Sequence, residues 1–278
     1  MAPVITLTTD FGTSDAYVAS MKGVILSTNP QATIVDISHA IKPQNVLQAA
    51  YIISTAYRYF PEGTIHIIVV DPGVGSQRRA IILKTPSALF LAPDNGVLSY
   101  IIEELEPTSS GSPSDVATEL QQRQLPKGAE AIAITNPRYW RQPVSTTFHG
   151  RDIFAPVAGH LSLCTPLHEF GETLNSLNVF PISRPYRDHQ DNLHGRIIHI
   201  DHFGNLVTNV KSTDLPTREF VIEVDNEKIH GLSQFYSQKG GLAAIVDSSG
   251  YLEIALKDGS AAAFLGSKVG DQIRLGEG

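Results

Sequence analysis

The sequence has very little cysteine and no long apolar segment. Cys164 is the only cysteine among 278 residues, which excludes an internal disulfide and a zinc site built from several thiolates. No apolar run approaches the ~20 residues that a membrane-spanning helix requires. The first twelve residues, MAPVITLTTDFG, lack the basic and apolar regions of a secretory signal. We therefore expect a cytoplasmic protein with no membrane contact.

A basic surface is also lacking. Lys and Arg number 21 and Asp and Glu number 28, which gives a formal net charge of −7. Proteins that bind the nucleic-acid backbone neutralise its phosphates with clustered basic side chains, and this sequence has no such cluster. The composition therefore argues against a nucleic-acid partner.

What the sequence does contain, over its first two-thirds, is an alternation of strand and helix patterns. The predicted strands are residues 4–8, 32–37, 64–70, 80–84, 89–92 and 131–135, and the predicted helices are residues 14–27, 43–60, 97–105 and 153–163. Alternation of this kind predicts an α/β fold with a mostly parallel, Rossmann-like sheet.

The last third of the sequence has a different pattern. Short predicted strands are separated by Gly, Asp and Asn turns, at residues 195–200, 206–210, 220–224, 242–246, 251–255 and 272–275. This spacing predicts a small antiparallel β-barrel or sandwich. We therefore expect an α/β domain over residues 1–182, a linker at 183–193 and a barrel domain over 194–278. A polar stretch at about 107–128 is too long for an ordinary connection and predicts a surface insertion.

Acidic residues gather where the predicted strands of the first domain end. Asp10, Asp36, Asp71 and Asp94 each close or follow a strand. For Asp36 and Asp94 taken singly, a role in a turn or helix cap is the simpler interpretation. Ligands of open parallel sheets bind beyond the carboxyl ends of the strands, so together these residues predict a polar pocket at that edge.

The segment from Asp71 to Arg79, DPGVGSQRR, is the most informative of these. It lacks the third glycine of a dinucleotide-binding motif and the Gly-Lys of a P-loop. Arg78 follows Asp71 by seven residues, so a tight loop can return its guanidinium group to the carboxylate. A structural salt bridge and a functional pair explain this spacing equally well.

His149 precedes a predicted helix within the sequence TTFHGRD. An imidazole there can accept a proton near neutral pH, although a solvent-facing loop histidine is the simpler interpretation. The sequence has no H-x-x-x-H pair on a helix and no H-E-x-x-H motif, so we expect no metal site.

Two turns and an aromatic pair stand out in the second domain. Asn205 carries the paired donor and acceptor that suit an adenine edge, and the turn at Ser248 offers hydroxyls and amides to a carboxylate. Phe235 and Tyr236 can stack on a ligand. Ordinary hairpin turns and packing remain the alternative for each.

Seven segments together carry a resemblance that covers nearly the whole chain: TTDFGTSD at 8–15, FPEGT at 60–64, DPGVG at 71–75, APDNG at 92–96, FHGRD at 148–152, DHFGN at 201–205 and SSGYLEIA at 248–255. In this order they resemble the S-adenosylmethionine (SAM) hydroxide adenosyltransferases, also called DUF62. These are adenosine-forming SAM hydrolases related to the SAM-dependent fluorinases and chlorinases.

The resemblance implies a function for individual residues. It implies that Asp71, Arg78 and His149 form the catalytic set. It also implies substrate contacts from Asp10 at the ribose diol, Asp15 near the methionine end, Asn205 at adenine, Asp201 and Ser248 at the amino acid moiety, and Phe235 or Tyr236 over the adenine ring.

The implied reaction is attack of water on C5′ of SAM, which releases adenosine and methionine and requires no cofactor. Asp71 would mainly orient the water or stabilise incipient hydroxide, and His149 would be at least as suited to take the proton. Halogenating relatives have a Ser where this chain has Gly150 and an Arg where it has Ser249. Keeping all three hydrolase residues favours water over halide as the nucleophile.

The resemblance further implies a homotrimer, with each site between the α/β domain of one subunit and the barrel of its neighbour. Two alternatives stay open at this point. The protein can be a SAM- or adenosine-binding regulator with little turnover, or a SAM-dependent halogenase.

Overall fold

The computed structural model describes residues 2–107, 119–236 and 241–277. Over these residues the chain forms two compact units, one reaching Pro181 and the other beginning at Ile182. Half of the expected insertion, residues 108–118, lies outside the described residues. No helix in the described part of the chain is long and apolar enough to cross a membrane.

The first unit contains nine strands and four α-helices. The strands are β1 (Val4–Thr9), β2 (Thr33–Ser38), β3 (Thr64–Val69), β4 (Ala80–Lys84), β5 (Ala88–Pro93), β6 (Gln121–Gln124), β7 (Glu130–Ile134), β8 (Gly171–Leu174) and β9 (Ser176–Val179). The helices are α1 (Tyr17–Thr28), α2 (Val46–Ala56), α3 (Ser99–Leu105) and α4 (Ala155–Ser162).

Seven of these strands form one mixed sheet in the order β2-β1-β3-β5-β4-β7-β8. β1 pairs in parallel with β2 and β3, and β3 pairs in parallel with β5. The pairs β4-β5, β4-β7 and β7-β8 are antiparallel. The prediction of an α/β fold is confirmed. Half of the pairings are antiparallel because β4 returns to β5 through a short turn, where a parallel pair would need a crossover.

The sheet is buried on both faces. Helices α1 and α4 pack on one face, and helices α2 and α3 pack on the other. All six residues of β3 are buried, as expected for the central strand of such a sheet. The carboxyl ends of β1, β3 and β5 therefore lie on a rigid edge, which is where the predicted acidic residues emerge.

All four helices start two or three residues later than predicted. Helix α1 begins at Tyr17, three residues after the predicted start, and has no side-chain cap. Helix α2 begins at Val46, because Asn45 accepts a 3.0 Å hydrogen bond from the Gln48 backbone amide. A π-helical turn over Gly150–Phe154 precedes α4. Sequence periodicity does not reveal caps or single π-helical turns.

Within the described part of the expected insertion, residues 121–124 form strand β6. β6 pairs antiparallel with β9, and Arg123 of β6 forms an ion pair with Glu103 of α3, with a 2.6 Å distance between Nη1 and Oε2. Residues 121–124 are therefore tied to the unit, and the polar composition that suggested an excursion reflects an edge position.

The second unit is an antiparallel, nearly closed barrel. Its elements are β10 (Tyr186–Arg187), β11 (Leu193–Ile200), β12 (Leu206–Lys211), β13 (Phe220–Val224), β14 (Glu227–His230), β15 (Leu242–Val246), β16 (Tyr251–Leu256), α5 (Ala261–Leu265) and β17 (Gln272–Glu277). The order is β14-β13-β17-β11-β12-β16-β15, with β10 paired to β11 and β14 in contact with β15. The barrel prediction is confirmed, although β10 lies within the expected linker.

His66 is a buried histidine on β3 that the sequence did not single out. Its side chain is fully buried, its Nδ1 lies 2.7 Å from the Thr6 hydroxyl, and its ring stacks on Phe90 at 5.1 Å. Burial lowers the pKa of His66 to about 4. The imidazole is therefore neutral in the folded protein at neutral pH.

We expect this histidine to make the fold acid-sensitive. The pKa is lower in the folded state than the unfolded value of 6.5, so the unfolded state binds the proton more tightly and stability falls as pH decreases from about 6.5 towards 4. The free energy of unfolding decreases by about 3 kcal/mol once the pH lies below both pKa values. Urea unfolding at pH 7.5 and 4.5 should show a smaller pH effect in His66→Phe than in wild type. His168→Gln, at an exposed position, should keep the wild-type pH effect, and an equal pH effect in His66→Phe would contradict this origin.

Candidate active site

The loop from Asp71 to Arg79 leaves β3 and enters β4. The Val74 amide donates to the Asp71 carbonyl at 3.2 Å, and the Ser76 amide donates to the Gly73 carbonyl at 3.0 Å. The Ser76 hydroxyl then accepts from the Arg78 amide at 3.2 Å. These consecutive turns fold the loop back on itself, so Arg78 reaches the residue at which the loop began.

Arg78 contacts both other members of the expected catalytic set. Its Nε donates to Oδ1 and Oδ2 of Asp71 at 3.0 and 2.8 Å, and its Nη2 also donates to Oδ2. The same Nη2 lies 2.8 Å from Nδ1 of His149. The Asp71 and Arg78 side chains are only 5% and 11% exposed. The structure thus joins the three residues through one buried guanidinium group.

The contact with Arg78 determines how the His149 ring can act. A guanidinium group only donates hydrogen bonds, so Nδ1 must accept and the neutral ring carries its proton on Nε2. Burial lowers the pKa of His149, and the charge of Arg78 lowers it further, while Asp71 and Asp152 act in the opposite direction. At neutral pH the imidazole is therefore a neutral group with an N–H at Nε2.

Asp152 fixes the loop that carries His149. Its fully buried carboxylate accepts hydrogen bonds from the Ser145 amide at 2.9 Å and from Arg151 at 2.7 and 2.8 Å. Asp152 does not cap the following helix, because α4 has no side-chain cap. The carboxylate instead ties together the two ends of the 145–152 segment.

Gly75 lets this segment approach the Asp71 loop closely. Gly75 has φ of +79°, and a Cβ at this position would lie 2.5 Å from the Thr146 carbonyl oxygen. A side chain there would have to displace the backbone that leads to His149. Glycine is therefore required both by the left-handed conformation and by the close approach.

We expect Gly75→Ala to reduce both stability and turnover. Left-handed strain costs about 1 kcal/mol, and the overlap with Thr146 adds about 2 kcal/mol. Gly128→Ala is the matched control, because Gly128 has φ of +87° and open space around it, so only the strain applies. Thermal unfolding and kcat of both variants test this. Equal effects of the two variants would show that the approach to Thr146 is unimportant.

Asp10 follows β1, and Thr9 of β1 pairs with Val69 of β3. Asp10 and Asp71 therefore emerge from adjacent strands at the same edge, as the sequence predicts. Asp10 Oδ2 accepts a 2.7 Å hydrogen bond from the Gln44 amide, which orients the carboxylate. Asp15 is exposed, two residues before α1.

Three aromatic rings cluster beside these residues. Phe11, Tyr17 and Phe148 have ring centroids 5.2 to 5.8 Å apart. A Cβ at Gly150 would lie 3.4 Å from the Phe148 ring and 3.5 Å from the Phe11 ring. Sequence reasoning did not predict this cluster, although its members adjoin Asp10 and His149 in the chain.

Asp36 and Asp94 have structural roles, but these are ion pairs with basic side chains and not the turn or helix cap expected of each residue taken singly. Asp36 forms ion pairs with Lys22 and His39. Asp94 is buried and accepts hydrogen bonds from Arg79 at 2.8 Å and from the Asn178 amide at 2.8 Å. These partners hold the sheet to its surroundings, so neither carboxylate belongs to the candidate site.

In the second unit, Asp201 and Asn205 belong to one turn. Asp201 Oδ1 accepts from the amides of Phe203 and Asn205 at 2.9 and 2.8 Å, and Oδ2 accepts from the Asn205 side chain at 3.0 Å. The buried Asn205 amide is therefore held in a fixed orientation with its Oδ1 still able to accept. Ser248 is exposed in the turn that Asp247 closes by accepting from the Ser249 amide at 2.8 Å.

Glu253 of β16 joins these residues, and sequence reasoning missed it. The Tyr236 hydroxyl donates to its carboxylate, and the charges of Asp201 and Asp247 act on it. Both Phe235 and Tyr236 are about half exposed, and Tyr236 is the one bound to Glu253. An acidic residue between apolar neighbours in the strand YLEIAL was the available signal.

The described residues contain no group of three or more His, Cys, Asp or Glu side chains that could hold a metal ion.

Comparisons with known proteins identify the family of this chain. A family model described as the SAM hydroxide adenosyltransferase N-terminal domain matches residues 5–171, and the corresponding C-terminal domain model matches residues 195–274. The (R)-S-adenosyl-L-methionine hydrolase of Salinispora arenicola is 33% identical over 279 residues, covering 99% of this chain and 98% of its own. A fluorinase of Actinoplanes sp. is 30% identical over 239 residues, covering 77% and 73%.

The fold is shared as well. The crystal structure of an uncharacterized conserved protein from Thermotoga maritima has a TM-score of 0.83 and 33% identity to this chain, and covers 98% of this chain and 99% of its own. Two family models that together span most of the sequence, and relatives matched over nearly their full length, show that this chain belongs to the SAM hydroxide adenosyltransferase family.

Proposed function

We propose that this protein hydrolyses SAM to adenosine and L-methionine by attack of water on C5′. The observation that carries the proposal is the buried Arg78 guanidinium, which binds the Asp71 carboxylate and the His149 ring at once. Relatives at 33% identity over nearly the whole chain are named (R)-S-adenosyl-L-methionine hydrolases. The test is incubation with SAM in chloride-free buffer, with adenosine and methionine as the expected products and unchanged SAM as the contrary result.

The chemistry asks for a positioned water molecule. Methionine leaves C5′ as a neutral thioether, so the leaving group needs no general acid. The water must be held in line with the breaking bond, and its proton must be taken as the new C–O bond forms. A carboxylate and a neutral imidazole N–H, fixed to each other through one guanidinium group, provide an acceptor and a donor for that water.

Asp71 is the proton acceptor in this account. Its Oδ2 accepts two hydrogen bonds from Arg78, whereas Oδ1 accepts one, which leaves an acceptor position on Oδ1 for the water. His149 presents its Nε2–H and donates to the water oxygen. This differs from the expectation that His149 is at least as suited as Asp71 to take the proton, because Nδ1 is already occupied by Arg78.

The remaining predicted residues bind the substrate in this proposal. In the first unit, Asp10 would accept from the ribose hydroxyls and Asp15 would lie near the methionine end. In the second unit, Asn205 would contact adenine, Tyr236 rather than Phe235 would cover the ring, and Asp201 and Ser248 would contact the amino acid moiety. The relatives' names specify the (R) epimer at sulfur, and we propose the same preference here. Turnover of the separated epimers tests it, and equal rates would exclude it.

We propose that SAM is a substrate and that no cofactor or metal takes part, since Asp71 and His149 activate the water directly. Dialysis against excess EDTA is therefore expected to leave kcat within about twofold of its starting value. Readdition of Mg²⁺ or Zn²⁺ serves as the control. A loss of turnover that either ion restores would contradict direct activation.

We also propose that the protein is a cytoplasmic homotrimer, as the resemblance to the family implies. The chain has a mass of 30.1 kDa, so light scattering should give about three times that mass. A mass of one chain would exclude the trimer. Fractionation of the source cells tests the location.

Halide transfer is the second candidate, because a fluorinase is among the relatives. Halogenating relatives, however, have a Ser at the position of Gly150. The space around Gly150 is bounded by Phe11, Phe148 and Met21, and the Met21 sulfur would lie 3.2 Å from a Cβ added there. Asp71 and His149 also offer water both an acceptor and a donor. Formation of 5′-chloro- or 5′-fluoro-adenosine in the presence of the halide would favour this candidate, and adenosine alone would exclude it.

A further inference from the structure

Glu253 is a buried acidic residue on β16, on the face of the strand opposite the core residues Leu252 and Ile254. It lies on β16 between Val207 of β12 and Ile245 of β15, and it is only 5% exposed. Its Oε1 is buried and has no hydrogen-bond partner among the described residues. A buried carboxylate oxygen without a partner costs free energy unless a proton or a ligand satisfies it.

The ionisable groups around Glu253 are of two kinds. The Tyr236 hydroxyl donates a hydrogen bond to its carboxylate, and the carboxylates of Asp201 and Asp247 lie close enough to act on its charge. Glu253 of β16 pairs with Val207 of β12, and Val207 in turn pairs with His199 of β11. His199 is therefore two strands away from Glu253. Asp201 begins the turn after β11 and Asp247 follows β15, so the three acids come from three different strands.

Burial is the largest influence and raises the pKa of Glu253. The hydrogen bond from Tyr236 acts in the opposite direction, and the charges of Asp201 and Asp247 raise the pKa further. Burial and the same acids raise the pKa of Tyr236 to about 12. Ionisation of Glu253 beside Asp201 and Asp247 is therefore disfavoured. A cation bound next to these three residues would favour the ionised carboxylate.

We propose that Glu253 is a positioning residue that anchors Tyr236 and that loses its proton when the cationic amino acid part of the substrate binds beside Asp201 and Asp247. This rests on the proposed function only for the identity of the cation. The bond from Tyr236 fixes a half-exposed ring at the cluster. The proton of the Glu253 carboxyl group passes to the buffer, and the ammonium group of the ligand replaces it as the positive charge in the cluster.

Calorimetry of SAM binding tests the proton release. The measurement uses an Asp71→Asn background, because hydrolysis itself releases a proton. Titrations at pH 5 to 7.5, each in two buffers with different ionisation enthalpies, give the number of protons released. We expect release of up to about one proton, at a pH set by Glu253, and its loss in Glu253→Gln. Glu223→Gln is the matched control, because Glu223 is an ion-paired glutamate on the outside of the same barrel, and it should behave as the Asp71→Asn parent.

Steady-state kinetics in the otherwise wild-type enzyme test the anchoring. Glu253→Gln keeps an acceptor for Tyr236, so KM should change less than about threefold. Glu253→Ala removes the acceptor and should raise KM about tenfold or more with a smaller change in kcat. Circular dichroism spectra equal to wild type show that the variants fold.

The outcomes separate this proposal from the proposed function. Equal proton release in the parent and in Glu253→Gln at every pH would overturn the proposal and leave the hydrolase intact. Linked proton release by a protein that never turns SAM over would support the proposal and overturn the hydrolase. Absence of SAM binding would overturn both.

Discussion

Asp71→Asn is expected to lower kcat by about a thousandfold while changing KM less than about threefold. Asparagine keeps the shape of the side chain and one acceptor for Arg78, but it cannot take a proton from water. Loss of a general base of this kind typically costs 10²- to 10⁴-fold. Because the lost interaction exists only in the transition state, the effect belongs in kcat. Steady-state kinetics with SAM measure both parameters.

Asp94→Asn is the matched control for this variant. Asp94 also binds an arginine, Arg79, and its side chain is 1% exposed. Its carboxylate, however, accepts a hydrogen bond from the Asn178 amide and contributes nothing to the candidate site. We expect this change to lower the free energy of unfolding by about 2 kcal/mol and to leave kcat of the folded enzyme unchanged. If Asp94→Asn lost as much turnover as Asp71→Asn, the special role of Asp71 would be refuted.

His149→Ala is expected to lower kcat about a hundredfold, whereas His149→Gln should stay within about tenfold of wild type. The glutamine amide can place an N–H near the position of Nε2, so it replaces the donor but not a base. Kinetics of the two variants between pH 5 and 9 make this comparison.

The pH profile gives an independent readout of the same residue. The pKa of His149 is lowered from 6.5, so wild-type kcat should be flat above about pH 6.5 and should fall at lower pH. There, protonated Nδ1 can no longer accept from Arg78. His149→Gln should lack this acidic decline. Equal inactivity of His149→Ala and His149→Gln would instead make His149 the base.

Much of the site is readable from the sequence because it depends on strand ends. Val4–Thr9 and Thr64–Val69 are strongly apolar and β-branched runs, so their ends, and with them Asp10 and Asp71, are well defined. The seven-residue interval to Arg78 is likewise a local property of one loop. Local patterns of this kind predict where polar groups emerge from a sheet.

Other parts of the site depend on contacts that no local pattern contains. The hydrogen bond between Arg78 and His149 joins residues 71 positions apart, and it alone decides which ring nitrogen carries the proton. The link from Tyr236 to Glu253 likewise crosses from a loop to β16. The antiparallel return of β4 was missed because its apolar composition is the same as that of a parallel strand.

The central claim is that water attacks C5′ of SAM at the Asp71, Arg78 and His149 site. The most direct test is hydrolysis of SAM in H₂¹⁸O, followed by mass spectrometry of the nucleoside product. We expect adenosine with one ¹⁸O atom at the 5′ position and unlabelled methionine, formed about a thousandfold more slowly by Asp71→Asn. A product other than adenosine, or adenosine without the label, would contradict it.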